Sequence, residues 1–188
     1  MSLLERVVCI DQRRRMPPFA EETFRSWFKS RCHTKSSDCT QVVLFDDCFM
    51  NYNYPEVGRA AVEVLEAAGF QVMLVKKQCC GRPMISKGLL EDARKLAEEN
   101  VRLLTPYAER GIPILGCEPS CLLTFRDEYE DLVSNSAAKK VSAACRMVDE
   151  FLVEKNQSGE LSIPFYKMDG QRKKILFHGH CHQKAHIG

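Results

Sequence analysis

The amino-acid sequence predicts an α/β fold: a parallel sheet with flanking helices. Three observations carry this. From residue 41 onward, short apolar runs rich in β-branched residues alternate with helical periodicities. Proline at a first helical position and glycine just past helix ends separate the two kinds of segment. The order strand, helix, strand, helix, strand, helix then implies parallel strands joined by right-handed crossovers.

The elements follow in chain order. "QVVLFD" (41–46) is a short buried strand. "PEVGRAAVEVLEAAG" (55–69) is a helix with Pro55 at its start and Gly69 after its end; Val57, Ala61, Val64, Leu65 and Ala68 form its apolar face. "FQVMLV" (70–75) is the second strand. Residues 87–110 read as one long helix, with Leu89, Ala93, Leu96, Val101 and Leu104 inward, a kink or restart at Pro106 and a stop at Gly111. "IPILG" (112–116) is the third strand, and Pro119 opens a helix over 119–130. A last helix spans roughly 137–155, ahead of an extended "LSIPF" and a strand "KILFHG" (174–179). The arrangement is Rossmann-like, in three layers.

Residues 1–40 differ in composition. Residues 1–20 read as an extended arm, 20–29 as a short helix burying Phe24, Trp27 and Phe28, and 30–40 as a loop. The 188 residues suffice for one good core. Lysine and arginine total 27 against 25 acidic residues, a net charge of +2, which argues against nucleic acid as the partner. No apolar run approaches the roughly 20 residues that span a bilayer. The N-terminus lacks the apolar core of a secretory signal, so a reducing, cytoplasmic setting is expected.

In such a setting ten cysteines point to metal binding or catalysis rather than disulfides. Five of them follow strand ends: Cys48 after the first strand, Cys79 and Cys80 after the second, Cys117 directly after the third and Cys121 one turn later. The pattern is Cys-x30-Cys-Cys-Gly-x35-Cys-x3-Cys. In a parallel sheet these loops leave the carboxyl edge, where sites form. Adjacent cysteines fit one zinc tetrahedron poorly and leave a fifth thiol over, whereas an iron–sulfur cluster lets neighbouring thiolates reach different irons. Gly81 allows a tight turn and Pro83 fixes its exit. Arg82, Lys76 and Lys77 can offset the charge of an anionic cluster or simply form a solvated edge. Pro119 at a helix start leaves amides facing Cys117. Asn51, Tyr52 and Asn53 are expected to shape a turn and cap the 55–68 helix, and Glu118 to act as a helix N-terminal charge. Cys9, Cys32, Cys39 and Cys145 have no partner at ligand spacing and read as structural or incidental, with a second metal site of Cys32, Cys39 and His33 as a weaker reading. Three uses remain open on the residues alone: a cluster, a structural zinc module and metal-free thiol–disulfide chemistry at Cys79-Cys80.

Cys48, Cys79-Cys80-Gly81, Cys117 and Cys121 resemble the cysteine-rich CCG module of heterodisulfide reductase and of the iron–sulfur subunits of glycolate oxidase and anaerobic glycerol-3-phosphate dehydrogenase. "NYNYPEVGRAAVEVLEAAGF", "CCGRP", "EPSCLLTFRDEY" and "HGHCHQKA" are more closely similar to the C-terminal part of FAD-linked oxidases of the lactate/glycolate type. The final pair here is Cys-x3-Cys where the reductase form is Cys-x2-Cys, which changes how Cys121 approaches. "HGHCHQKAHIG" resembles the opening of a second module, with Cys181 in the place of Cys48. The expected organisation is thus an arm and connector (1–40), one CCG module (41–170) and the truncated start of a second (171–188).

The resemblance implies a [4Fe-4S] cluster held by Cys48, Cys79, Cys80, Cys117 and Cys121, with Gly81 and Arg82 alongside, in the electron-transfer part of an oxidoreductase without its own substrate site. No GxGxxG follows a strand, so the FAD is expected on a partner dehydrogenase subunit or a missing region, with a ferredoxin-like iron–sulfur region as further partner. The chain is expected in the cytoplasm, reaching the inner face of the membrane only through partners.

Overall fold

The computed structural model describes residues 11, 13, 14, 16–31, 39–161, 174 and 176–186. Four strands form one sheet: β1 (Thr40–Leu44), β2 (Phe70–Met73), β3 (Ile114–Gly116) and β4 (Cys145–Met147). They lie in the order β2-β1-β3-β4 and every pair is parallel, with Val42 opposite Val72, Val43 opposite Ile114 and Leu115 opposite Arg146. The expected α/β fold with a parallel sheet and flanking helices is what forms.

Strand alternation sorts the core into two faces. Val43, Phe45, Val75, Ile114, Cys145 and Met147 point to the first face. There they meet α5 (Leu90–Ala108), α6 (Pro119–Arg126), α7 (Glu128–Leu132) and α8 (Ser136–Ala144). Val42, Leu44, Val72 and Leu115 point to the second face. It is covered by α1 (Phe24–Ser30), α2 (Cys48–Tyr52), α3 (Pro55–Ala67) and α9 (Val148–Gln157). Each fully buried Val, Leu or Phe contributes about 1.5–3 kcal/mol relative to an exposed one, so both faces hold the sheet.

Several boundaries differ from expectation. The 137–155 helix is interrupted by β4. Cys145 is extended (φ −78°, ψ 131°), and its partner is the free edge of β3, on the far side of three intervening helices in the chain. A three-residue strand has no periodicity of its own to read. The chain restarts at α9, where Glu150 accepts from the Met147 amide at 3.2 Å and pairs with Arg126 at 2.7 Å. The 119–130 helix is likewise broken, at Asp127 (φ −114°, ψ −83°). The 87–110 helix starts later, as α5 at Leu90; a separate short helix, α4 (Arg82–Ser86), precedes it, with Gly88 (φ +74°) between the two. Leu89 is outward at 50% exposure, and α5 runs through Pro106 to Ala108.

On α3 the buried line is Gly58, Ala61, Val62 and Leu65, while Val57 and Val64 are exposed. The helix is rotated from the expected face because Gly58 receives α1. A Cβ there would stand 2.6 Å from the Phe24 ring and 2.9 Å from Met50 Cγ. Phe24 and Phe28 are buried as expected, but Trp27 is only half-buried, with Arg31 and Arg59 at 4.8 and 5.2 Å from its ring. The arm contributes described residues 16–20, tied down by the Ala20 amide on Tyr52 O (2.7 Å) and Asn53 Nδ2 on Pro18 O (2.7 Å). Most of the rest of the expected arm, the 32–38 loop and most of "LSIPF" lie outside the described residues. Described residues 174 and 176–179 carry no strand, contrary to expectation. They lead into α10 (Cys181–His186), held against α6 and its neighbours by side chains rather than by a ladder.

Because β1 connects through the second face and β3 through the first, the chain reverses direction between two neighbouring strands. Their carboxyl ends open a crevice of the kind that holds ligands in doubly wound sheets.

Candidate functional site

Cys48, Cys79, Cys80, Cys117 and Cys121 all follow the carboxyl ends of the three adjacent strands β1, β2 and β3. Cys48 is the first residue of α2, whose N-cap Asp47 accepts from the Met50 amide at 2.9 Å. Asp47 is buried, which raises its pKa. The nearby Glu118 raises it further, and the bond from the Met50 amide opposes both. Cys79 and Cys80 lie on the turn between β2 and α4. Gly81 closes that turn in the left-handed region at φ +86°, where a side chain is strained, and Pro83 sits in the first turn of α4. Cys121 is in the first turn of α6.

Cys80 Sγ stands 3.2 Å from Cys121 Sγ. Cys48, Cys79 and Cys80 shift one another's ionisation, and Cys79 is the thiol pulled down. The Cys48 bond above all, then the Cys80 bond and the Gly81 amide, hold its thiol far below the ordinary range, with Lys77 adding a smaller effect. The bond to Cys79 pushes Cys48 up, and the bond to Cys121 pushes Cys80 up, burial adding to both. Lys77, half-buried with its Nζ 4.9 Å from the Phe45 ring, favours the charged form of both Cys48 and Cys79; Lys76 is exposed.

Cys117 stands apart. Strand parity puts it on the second face, against the residues around Leu115, whereas Cys79, Cys80 and Cys121 pack on the first. Burial pushes its thiol up to about 12, with Asp47 and Asp149 as its charged neighbours. The amides expected to face it are otherwise engaged: Glu118 caps α6, accepting from the Cys121 amide at 2.6 Å. Among the described residues no three His, Cys, Asp or Glu side chains converge in the manner of a single-ion site.

Arg82 neither faces solvent nor neutralises the thiols. It pairs with Glu128 and reaches the His182 ring, 2.9 Å from Nδ1. Ser120 lies 3.2 Å from His180 Nε2 and Gln183 donates to Asp149 at 2.9 Å, so the "HGHCHQ" segment is fastened beside α6. Asn51 accepts from the Arg25 amide at 3.0 Å, and Tyr54 occupies the N-cap of α3 with no side-chain cap; the expected capping of that helix by residues 51–53 is not what they do. Cys145 is deep in the first core, structural as expected. Cys39 is half-buried, while Cys9 and Cys32 lie outside the described residues.

Two residues escaped sequence reasoning. Asn100, on α5, and Tyr129, on α7, are fully buried and hydrogen-bond the backbone of the cysteine turn. An asparagine within the stripe Ala93, Ala97, Val101, Leu104 was the available signal, since a buried polar side chain requires partners.

A parallel α/β sheet whose carboxyl edge gathers thiols at its switch point defines a cysteine-edge redox or metal module. More specifically, residues 42–126 match the family model of the cysteine-rich CCG domain, so this segment is a CCG domain. It is 32% identical over 185 residues to the C subunit of the anaerobic glycerol-3-phosphate dehydrogenase of Escherichia coli (strain K12), covering 97% of this chain and 46% of that protein. It is 29% identical over 154 residues to lactate utilization protein A of Halalkalibacterium halodurans (79% of this chain, 59% of the relative). It is 28% identical over 144 residues to the B subunit of the CoM/CoB fumarate reductase of Methanothermobacter marburgensis (76% and 26%). The chain thus spans about half the length of the first of these relatives. No solved structure matches. No helix among the described residues is long and apolar enough to cross a membrane.

Proposed function

We propose that this chain is an iron–sulfur electron-transfer module in which Cys48, Cys79, Cys80 and Cys121 hold a [4Fe-4S] cluster. The observation that carries the reading is the gathering of these thiols on the loops after β1, β2 and β3, with Cys80 Sγ 3.2 Å from Cys121 Sγ. No three of the described side chains are placed to hold one ion, and adjacent thiols can reach different irons, which favours a cluster over a single zinc. The donor set is soft, as iron–sulfur and zinc chemistry both require. Bound there, the cluster supplies one-electron redox chemistry. The protein's own part is to present four sulfurs, to place Lys77 beside them, and to turn the Gly81 and Arg82 amides toward Cys79 and Cys80. Cys117 backs the site from the opposite face.

By similarity to the named dehydrogenase and reductase subunits, the electrons come from a flavin on a partner protein that oxidises glycerol 3-phosphate or a 2-hydroxy acid. Any membrane association is peripheral, through that partner. Reconstitution without oxygen, using ferrous iron and sulfide, is expected to give a brown protein with about four irons and matching sulfide per chain. A colourless protein that takes up about one zinc per chain, and no iron in its place, overturns the reading in favour of a zinc module.

A further inference from the structure

Behind the tandem cysteines lies a polar grip that no sulfur chemistry by itself explains. Asn100 and Tyr129 are each 0% exposed, and they come from different helices. Asn100 Oδ1 accepts from the Gln78 amide at 2.7 Å. Its Nδ2 donates to Cys79 O and to the Tyr129 hydroxyl, both at 2.9 Å. The Tyr129 hydroxyl in turn donates to Cys80 O at 3.0 Å. Three successive residues of the turn, 78 to 80, are therefore held by their main-chain atoms from inside the core. Polar side chains placed in a core have to be matched or they destabilise it, and here they bond only to each other and to this one turn.

The consequence reaches the sulfurs through peptide geometry. In a planar trans peptide the carbonyl of one residue and the amide of the next point in opposite directions. Tyr129 draws the Cys80 carbonyl inward, so the Gly81 amide is directed outward, away from the core. Gly81, at φ +86°, admits that peptide orientation without a Cβ. We propose that Asn100 and Tyr129 are positioning residues of the thiol site: by fixing the carbonyls of Cys79 and Cys80 they aim the Gly81 amide at the Cys79 sulfur. Hydrogen bonds to ligand sulfur stabilise the reduced, more negative state of a cluster, so the grip raises its potential. That last consequence rests on the cluster reading above; the orientation of the turn does not.

The test compares Tyr129→Phe with Phe125→Leu. Phe125 stacks on Tyr129 at a centroid separation of 4.4 Å, so its substitution loosens the same spot while leaving the hydroxyl in place. In the reconstituted protein Tyr129→Phe is expected to lower the midpoint potential by about 59 mV, a tenfold change in a one-electron equilibrium. Phe125→Leu is expected to leave it unchanged. In the metal-free protein at one fixed pH, the iodoacetamide reactivity of Cys79 relative to Cys39, mapped by mass spectrometry, should change at least about fivefold in Tyr129→Phe only. Asn100→Ala, with the same expected signs, replaces Tyr129→Phe if that variant does not fold by circular dichroism. Equal shifts in the loosened control, or no shift in either readout, overturn the positioning role. Failure of the wild type to take up iron while the reactivity difference persists overturns the cluster reading and leaves the grip standing.

Discussion

The two faces of the sheet are built from the same strands and do different things. The second face, under α1, α2, α3 and α9, is an apolar layer that holds Cys117 at its rim. The first face, under α5 to α8, carries Cys79, Cys80 and Cys121 at its upper end, with Asn100 and Tyr129 behind them. Both faces receive a cysteine from the segment after β3, and it is Cys121, on the first, that meets Cys80. Parity is the reason. Leu115 and Cys117 are two residues apart and share a face, while the turn into α6 carries Cys121 across to the other. Proximity in sequence to a motif is a weaker guide than the side of the sheet a residue occupies.

The largest test of that contrast is metal content. Cys80→Ser, on the first face, is expected to reduce iron from about four to below about one per chain after reconstitution. Cys117→Ala, on the second, is expected to keep most of it. Equal losses in iron and sulfide analysis would erase the distinction between the faces at this edge.

Next in size is the pin that closes the second face. Arg25 on α1 donates twice to Asp46, at 2.6 and 2.8 Å, and once to Val75 O at 2.7 Å. Asp46 is 1% exposed, so Arg25→Ala leaves a buried charge uncompensated and is expected to cost about 3–5 kcal/mol in urea unfolding. Adding Asp46→Asn should recover part of that loss, because the two sites share one interaction.

Smaller still is Gly58→Ala. Alanine is the better helix former by about 1 kcal/mol, but the added Cβ would stand 2.6 Å from the buried Phe24 ring. Net destabilisation of about 1–2 kcal/mol is expected, reversed when Phe24→Leu makes room. A stabilised single variant would show that α1 does not press on α3 there.

The effect least tied to the thiol edge is a pH dependence on the first face. Burial pushes the Cys145 thiol from the ordinary 9.0 up to about 12. The unfolded chain therefore loses this proton before the folded one does. The stabilisation is complete below pH 9 and is lost as pH rises through the interval up to about 12. Urea midpoints should fall between about pH 8 and about pH 10.5, and less steeply in Cys145→Ala; identical slopes would assign the loss to other groups.

Much of this was legible in the chain. Apolar runs at 41–46, 70–75 and 112–116, with Pro55, Gly69 and Gly111 between them, were enough for three parallel strands and their helices. Cysteines just past those runs were enough to put them at one edge. The buried face of α3 is rotated from the one its periodicity suggests, because nothing local announces that Phe24 will seat on Gly58. Cys117 could not be separated from Cys121 without knowing where β3 ends and to which face α6 returns. Arg82 reads as a counter-charge for the thiols, and is instead occupied by Glu128 and His182, 46 and 100 positions away.

By itself the sequence determined what depends on neighbours along the chain: which segments are strands, where helices begin and stop, and that thiols follow three strand ends. Those outcomes rest on steric preferences and periodic burial, which act over a few residues. Only the tertiary structure decided the order β2-β1-β3-β4, the three-residue β4, the packing of Cys117 on the second face and Cys121 on the first, and the grip of Asn100 and Tyr129 on the turn. Each of these depends on a hydrogen bond or contact between segments distant in the chain, and such partners are chosen when the sheet assembles.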